Sequence, residues 1–203
     1  MKSSSTSLNK IDRIQQILDS YYPSPPVPLN NVNDYTFLIA IILSAQTTDG
    51  KVNEVTKQLF QYAITPYEMI KLDKEFILNI IKPIGLAPKK SEYILKLSHD
   101  LIHKFNGKIP STYDELESLS GVGHKTASVI RSQLFNIPSF AVDTHVHRLA
   151  LRWELTKDHK NVNKVQQDLC SIFPESSWNK VRKWMYSFIY IYIYIYIYMF
   201  MTM

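Results

Sequence analysis

The stretch L-S-G-V-G-H-K-T-A (Leu119–Ala127), followed after an apolar run by A-V-D-T-H (Ala141–His145), is the most informative part of this sequence. A turn bounded by Gly121 and Gly123 opens a predicted helix that carries Lys125 in its first turn. Glycines allow positive φ and close backbone approach, so the N–H groups of such a turn can bind a phosphate. The alternative is an ordinary turn between two helices, which a bare G-x-G segment would favour.

The composition and charge fit a globular chain with a polyanionic partner. At 203 residues and 45% hydrophobic content, the chain can form one large domain or two small ones with a buried core. Its 23 Lys and Arg against 18 Asp and Glu give a formal net charge of +5, which suits nucleic acid without identifying it. The N-terminus lacks the apolar region of a signal peptide, so we expect a cytoplasmic protein, nucleoid-associated if the cell is bacterial.

Apolar residues recur at helical spacing along most of the chain, which predicts an all-α fold of many short helices. A proline-rich linker at 23–28 ends the first helix, and Thr112 with Glu115 forms a capping box before the glycine turn. The run Phe37–Leu43 is nearly all apolar, so its helix is expected to be buried on most sides. We expect Asp34 to cap that helix.

The segment Ile189–Tyr198 is anomalous because it consists of five Ile-Tyr dipeptides. Its alternation is typical of a strand, and the uncharged residues from Trp184 to Met203 are numerous enough for a membrane span. Five tyrosine hydroxyls would be costly in lipid, so no membrane partner is expected. Because alternating T-A DNA encodes Tyr-Ile repeats, we interpret the tail as a translated simple repeat that follows a lost reading frame and truncates the protein.

Four segments, in order and spacing, resemble the endonuclease III family of base-excision DNA glycosylases. The string L-x-G-V-G-x-K-T-A resembles the helix-hairpin-helix motif of that family. The other segments are L-S-A-Q-T-T-D (Leu43–Asp49), I-G-L-A-P-K-K-S-E-Y-I (Ile84–Ile94), which has alanine where an aromatic residue is usual, and V-D-T-H (Val142–His145). The similarity covers about residues 10–186.

The resemblance implies an all-α, two-lobed helix-hairpin-helix DNA glycosylase fold. A helical barrel lobe would occupy 27–137 and contain the helix-hairpin-helix at about 112–136. The second lobe would combine 1–26 with 138–188, truncated before the anomalous tail at 189–203. In this family DNA binds across the cleft between the lobes.

The resemblance makes Lys125 the nucleophile. Its amine would attack the sugar C1′, expel the base and form a Schiff base, and β-elimination would then break the strand. A helix N-terminus and partial burial both disfavour the charged ammonium, which cannot attack. Asp143 would be the essential carboxylate that stabilises positive charge or assists proton transfer. Capping of the helix that starts near Thr144, or an ion pair with Arg148, are simpler roles for Asp143.

The resemblance also implies a set of DNA contacts. Gln46 would fill the space left by a flipped nucleotide and Leu86 would wedge the opposite strand, whereas a helix cap and a core leucine are the simpler interpretations. The expected phosphate contacts are Gly121, Val122, Gly123, His145, Lys89 and Lys90. His145 could instead be bonded locally at a helix start.

The resemblance implies a bifunctional DNA glycosylase and AP lyase that excises oxidised pyrimidines from damaged double-stranded DNA. We expect the protein to act as a monomer. Most bacterial members ligate a [4Fe–4S] cluster with four C-terminal cysteines. The single cysteine here, Cys170, excludes such a cluster, a four-cysteine zinc site and an internal disulfide, so no cofactor or metal is expected.

Three alternatives remain open at the level of sequence. An adenine DNA glycosylase of the same superfamily usually lacks a lysine at the position of Lys125. A non-catalytic helix-hairpin-helix DNA-binding protein, left by truncation, would not need Lys125 together with Asp143. A membrane-tethered protein rests on the tail alone.

Overall fold

A computed structural model describes residues 4–21, 23, 28–158 and 160–185, and the side chains of 4–9 and 145 lie outside that description. Every regular element in these residues is a helix, which confirms the all-α prediction. The strand interpretation of Ile189–Tyr198 concerns residues outside the described part of the chain. Among the described residues, no helix combines the length and the apolar character needed to cross a bilayer.

Ten α-helices account for the described chain up to residue 172. They are α1 (Ser4–Tyr21), α2 (Asp34–Ser44), α3 (Asp49–Leu59), α4 (Pro66–Met69), α5 (Lys74–Ile81), α6 (Ala87–Phe105), α7 (Tyr113–Glu117), α8 (His124–Leu134), α9 (Thr144–Arg152) and α10 (Val162–Ile172). A 3-10 turn at Glu175–Ser177 and helical residues 178–185 follow.

The chain divides into two compact units, each taken over its described residues. One unit is Val27–Phe135, and the other joins Met1–Pro26 to Asn136–Met203. Each unit has its own hydrophobic core, so each can hold its functional residues on a packed scaffold.

Helix α2 forms the centre of the core of the Val27–Phe135 unit. All residues from Tyr35 to Leu43 are buried, as the apolar run predicts. The N-cap is Asn33 and not Asp34: the Asn33 side chain accepts the Thr36 N–H at 2.9 Å, and Thr36 Oγ1 accepts the Asn33 N–H at 2.9 Å. Asn33 has the extended backbone that a cap requires, whereas Asp34 is already helical.

The core of the other unit joins the N-terminal helix to the C-terminal segment. Leu18 of α1 is buried in one cluster with Phe140, Val146 of α9 and Trp184. Lys180 reinforces this junction, since its ammonium forms an ion pair with Asp19. Burial of large apolar side chains contributes about 2 kcal/mol each, so segments distant in sequence are held together mainly by this cluster.

Candidate functional site

The glycine turn connects α7 to α8 and leaves the start of α8 without a side-chain cap. Gly123 is the N-cap residue, and the first helical bond runs from the Ala127 N–H to the Gly123 carbonyl at 2.9 Å. The N–H groups before Ala127 therefore have no acceptor inside the helix, which is the usual state of a helix N-terminus. These donors and the positive end of the helix dipole are suited to an anion.

The two glycines of the turn have different surroundings. Gly121 has φ +82, and a Cβ atom added there would lie 2.9 Å from Cδ2 of Tyr93. A Cβ atom at Gly123 would meet nothing within 4 Å. The fold therefore requires a glycine at Gly121, whereas Gly123 leaves open space in front of the helix start.

The expected phosphate contact by Val122 does not fit the structure. Its side chain is buried in the core, and its N–H donates to the Leu119 carbonyl at 3.1 Å. Because this donor closes the turn, Val122 shapes the glycine turn and its N–H is not available to a ligand.

Aromatic and cationic side chains that the sequence did not indicate pack α7 against α8 across the glycine turn. The Tyr113 ring stacks on the His124 ring, with 4.7 Å between centroids, and the Arg131 guanidinium lies over the Tyr113 ring at 4.3 Å from its centroid. Arg131 Nη1 donates to the Ser111 carbonyl at 2.5 Å, and His124 Nδ1 lies 2.8 Å from the Glu117 carboxylate. These contacts fix α7 against α8 and so fix the turn between them.

Lys125 lies in the first turn of α8 on its exposed face. Ala127, Ser128 and Ile130 of the same helix are buried, so packing of the opposite face sets the direction of Lys125. The partial burial expected for Lys125 is not observed, because the residue is exposed. Lys125 is therefore an exposed residue next to a helix start that has no side-chain cap.

Gln46 and Leu86 both adopt the left-handed backbone conformation, with φ 57 and φ 61. This conformation costs a residue with a side chain about 1–3 kcal/mol, and such outliers concentrate at functional sites. Gln46 is exposed and Leu86 is 53% exposed, which excludes the interpretation of Leu86 as a core residue. The two loops touch, since a Cβ atom at Gly85 would lie 3.4 Å from the Gln46 carbonyl oxygen.

The expected phosphate contact by Lys90 does not fit the structure either. Only 3% of the residue is exposed, and its ammonium donates to the carbonyl oxygens of Leu43 and Ala45 and to Thr47 Oγ1. Burial lowers the pKa of Lys90 from its ordinary value, while the three oxygens hold the charged form in place. The Lys90 ammonium is bonded to oxygens within the fold, so it is not available to a DNA phosphate.

Lys89 differs from its neighbour because its side chain is exposed. Its ammonium lies 5.6 Å from the ring centroid of Tyr93, the residue that also packs on Gly121. Tyr93 therefore places Lys89 near the glycine turn, where its charge can add to that of the helix start.

Asp143 belongs to the unit that contains α9 and caps that helix. Its Oδ1 accepts the Val146 N–H at 2.8 Å, and its carbonyl accepts the His147 N–H at 2.9 Å. The capping role foreseen as an alternative is thus present, and the half-buried carboxylate has a fixed orientation. The side chain of His145 lies outside the described residues.

The residues present do not fit an iron–sulfur cluster. Cys170 on α10 is the only thiol of the sequence, and burial, with Glu175 adding to it, raises the pKa of Cys170 and disfavours the thiolate that metals bind. Within the described residues, no group of three or more His, Cys, Asp or Glu side chains is placed to hold a metal ion.

Comparison with known proteins identifies the family. Residues 39–175 match the HhH-GPD superfamily base excision DNA repair protein family. The chain is 39% identical over 180 residues to endonuclease III of Haemophilus influenzae, covering 88% of this chain and 85% of that protein. It is 38% identical over 169 residues to endonuclease III of Escherichia coli, covering 82% and 80%.

Comparison with solved structures identifies the same family. A solved structure of a trapped endonuclease III–DNA covalent intermediate superposes with a TM-score of 0.82 at 38% identity, covering 87% of this chain and 83% of that one. This likeness confirms the resemblance that the four sequence segments indicated. The chain therefore belongs to the endonuclease III family, the DNA glycosylases and AP lyases of base excision repair within the HhH-GPD superfamily.

Proposed function

We propose that this protein excises oxidised pyrimidines from damaged duplex DNA and cleaves the strand 3′ to the resulting abasic site. The observation that carries the proposal is the position of Lys125, an exposed amine in the first turn of α8 directly after the uncapped glycine turn. The turn can hold a DNA phosphate while the amine reaches the adjacent sugar. The solved endonuclease III complex that this chain resembles is a covalent intermediate with DNA.

The reaction begins with attack of the Lys125 nitrogen lone pair on the sugar C1′. The C1′–N bond to the base breaks, and the base leaves with that electron pair and takes up a proton. The attacking nitrogen loses a proton, and its lone pair then forms the C1′=N bond as the C1′–O4′ bond breaks and O4′ takes up a proton. The product is a protonated Schiff base that acidifies C2′. Loss of a C2′ proton and cleavage of the C3′–O bond release the 3′ strand, and water then hydrolyses the Schiff base and restores Lys125.

Asp143 supplies the carboxylate of this mechanism. A negative charge near the sugar stabilises the positive charge that develops at C1′, and a carboxylate can also accept or deliver the transferred proton. Its hydrogen bond to the Val146 N–H fixes the orientation of the side chain before DNA binds.

Gln46 and Leu86 enter the duplex at the damaged nucleotide. Removing a base from the stack costs a few kcal/mol, and a side chain that fills the vacated space offsets part of this cost. Both residues are exposed on adjacent loops with constrained backbones, as a rigid wedge requires. Gly121, Gly123 and Lys89 bind phosphates and set the register of the enzyme on the duplex.

The protein acts as a monomer, in the cytoplasm, and without a metal or cluster. The single cysteine of the sequence cannot supply the four thiolates of a cluster, and no step of the mechanism needs redox or Lewis-acid chemistry. In a bacterial cell it would be associated with the nucleoid.

Borohydride trapping on a duplex with one abasic site tests the nucleophile. Wild type should give a covalent adduct, and Lys125→Gln should bind the duplex without forming one, while the exposed lysine variant Lys96→Gln behaves as wild type. Strand cleavage by Lys125→Gln at the wild-type rate would contradict the assignment. A wild type that binds but never forms the adduct would identify a non-catalytic DNA-binding module.

Substrate preference is tested with matched duplexes. Release of thymine glycol, with no release of adenine opposite 8-oxoguanine, is the expected result. Release of adenine alone would place the protein in the adenine glycosylase branch instead.

A further inference from the structure

The ammonium group of Lys90 connects α6 to the turn that follows α2. Its Nζ donates to the carbonyl oxygens of Leu43 at 2.8 Å and Ala45 at 2.6 Å, and to Thr47 Oγ1 at 3.2 Å. These oxygens flank Gln46 on both sides along the chain. An ammonium has three N–H donors, so this one turn uses all of them.

The main chain of Lys90 contacts the second left-handed residue. Its N–H donates to the Leu86 carbonyl at 2.9 Å, one of the bonds that begin α6. One residue therefore holds the Gln46 turn through its side chain and the Leu86 loop through its backbone. Only 3% of Lys90 is exposed, so its ammonium is held by these protein oxygens.

The contacts of Lys90 restrict the backbone of Gln46. The Ala45 carbonyl belongs to the peptide group that precedes Gln46, so fixing that oxygen limits the φ that Gln46 can adopt. Left-handed residues with side chains persist only where their surroundings enforce the conformation. The carbonyls at the end of α2 also carry partial negative charge, which the buried ammonium stabilises.

We propose that Lys90 is a positioning residue that presets the Gln46 turn beside Leu86, so that both side chains enter the duplex together. The inference rests on the proposed function, because it takes damaged duplex DNA as the ligand of Gln46 and Leu86. Presetting a loop in its binding conformation reduces the ordering cost of association. Lys90 acts through Gln46 and touches no reacting atom.

Binding of two duplexes tests this role. Lys90→Met removes the ammonium and keeps an unbranched chain, and Lys96→Met, an exposed lysine on the same helix, is the control. All variants carry Lys125→Gln, so that binding is measured without chemistry. We expect about tenfold weaker binding of a duplex with a tetrahydrofuran abasic analogue, and less than about twofold change for undamaged duplex. An equal loss for both duplexes, or no loss, overturns the proposal.

A double-substitution cycle separates positioning from general damage to the fold. In a Gln46→Ala background, Lys90→Met should weaken binding of the analogue by less than about twofold, because the side chain that Lys90 positions is gone. A tenfold loss in that background, or unchanged binding by Gln46→Ala itself, overturns the proposal. If Lys90→Met does not fold, Thr47→Val removes a single acceptor of Lys90 and enters the same cycle with an expected loss of about threefold.

The two hypotheses fail in different experiments. Absence of a borohydride adduct with wild type contradicts the role of Lys125 and leaves the binding cycle unaffected. Lack of coupling between Lys90 and Gln46 contradicts the positioning role and leaves the adduct unaffected.

Discussion

The ring of Tyr93 occupies the space that a side chain at Gly121 would need. A Cβ atom at Gly121 would lie 2.9 Å from Tyr93 Cδ2 and 3.1 Å from Tyr93 Cβ, and the φ of Gly121 is +82. Gly123, two residues later, has no such neighbour. The first glycine therefore serves the packing of α6 against the turn, and the second leaves the helix start open to a ligand.

The two glycines should respond differently to substitution by alanine. Gly121→Ala should lower the free energy of unfolding by at least about 2 kcal/mol, because it combines a left-handed alanine with a clash against Tyr93. Gly123→Ala should change it by about 1 kcal/mol or less while weakening DNA binding several-fold. Urea denaturation and binding titrations measure both quantities. Equal destabilisation by the two substitutions would contradict the distinction.

Substitution of Asp143 by asparagine and by alanine distinguishes its role as a helix cap from its proposed role in base release. Asn retains an oxygen that can accept the Val146 N–H, so Asp143→Asn should keep the stability of wild type, whereas Asp143→Ala should lose about 1 kcal/mol. Both variants lack the carboxylate, so both should lose at least about 100-fold in the rate of base release. Single-turnover assays and thermal denaturation provide the readouts. An active Asp143→Asn enzyme would show that Asp143 serves only as a cap.

Leu86→Gly should lower activity on damaged duplex DNA without lowering the stability of the fold. Glycine adopts the left-handed conformation without a steric cost, and Leu86 is already half exposed, so the free energy of unfolding should stay equal or rise by up to about 1 kcal/mol. Without the wedge, binding and cleavage of a damaged duplex should fall, while an abasic site in single-stranded DNA should be cleaved as by wild type. A variant that retains full activity on the duplex would refute the wedge role.

The carboxylate of Glu68 gives the fold a pH-dependent contribution. Its Oε2 accepts the N–H groups of Ile64 at 2.9 Å and Thr65 at 3.0 Å, and these bonds, with that of the Thr65 hydroxyl, lower the pKa of Glu68. Because the pKa is lower in the folded state, the contribution is complete above the unfolded pKa and is lost as pH falls through the folded pKa.

Glu68→Gln should therefore reduce stability at neutral pH and leave it unchanged in acid below the folded pKa. Urea denaturation across that range, with the exposed Glu75→Gln as control, measures the difference. A pH profile of Glu68→Gln that parallels wild type throughout would contradict the assignment.

Local sequence features predicted the helices and the position of the proposed nucleophile. The apolar run Phe37–Leu43 identifies α2, and the 3.6-residue periodicity identifies α6. The glycine turn identifies the start of α8, and the position of Lys125 in its first turn follows from that start. Asp143 could be predicted as a cap because capping depends on residues within one helical turn. The sequence could not distinguish Asn33 from Asp34 as the cap of α2, because neighbouring polar residues compete for one cap position and the backbone conformation decides between them.

The sequence by itself determined the helical fold, the family and the chemical groups at the site, because each depends on residue type and spacing along a short stretch. The tertiary structure alone decided that Lys90 is buried while Lys89 is exposed, that Gln46 and Leu86 are left-handed, and that Tyr93 packs on Gly121. These outcomes depend on which helices pack together. Adjacent lysines of one helix then differ because one ammonium meets the carbonyl end of α2 and the other remains in solvent.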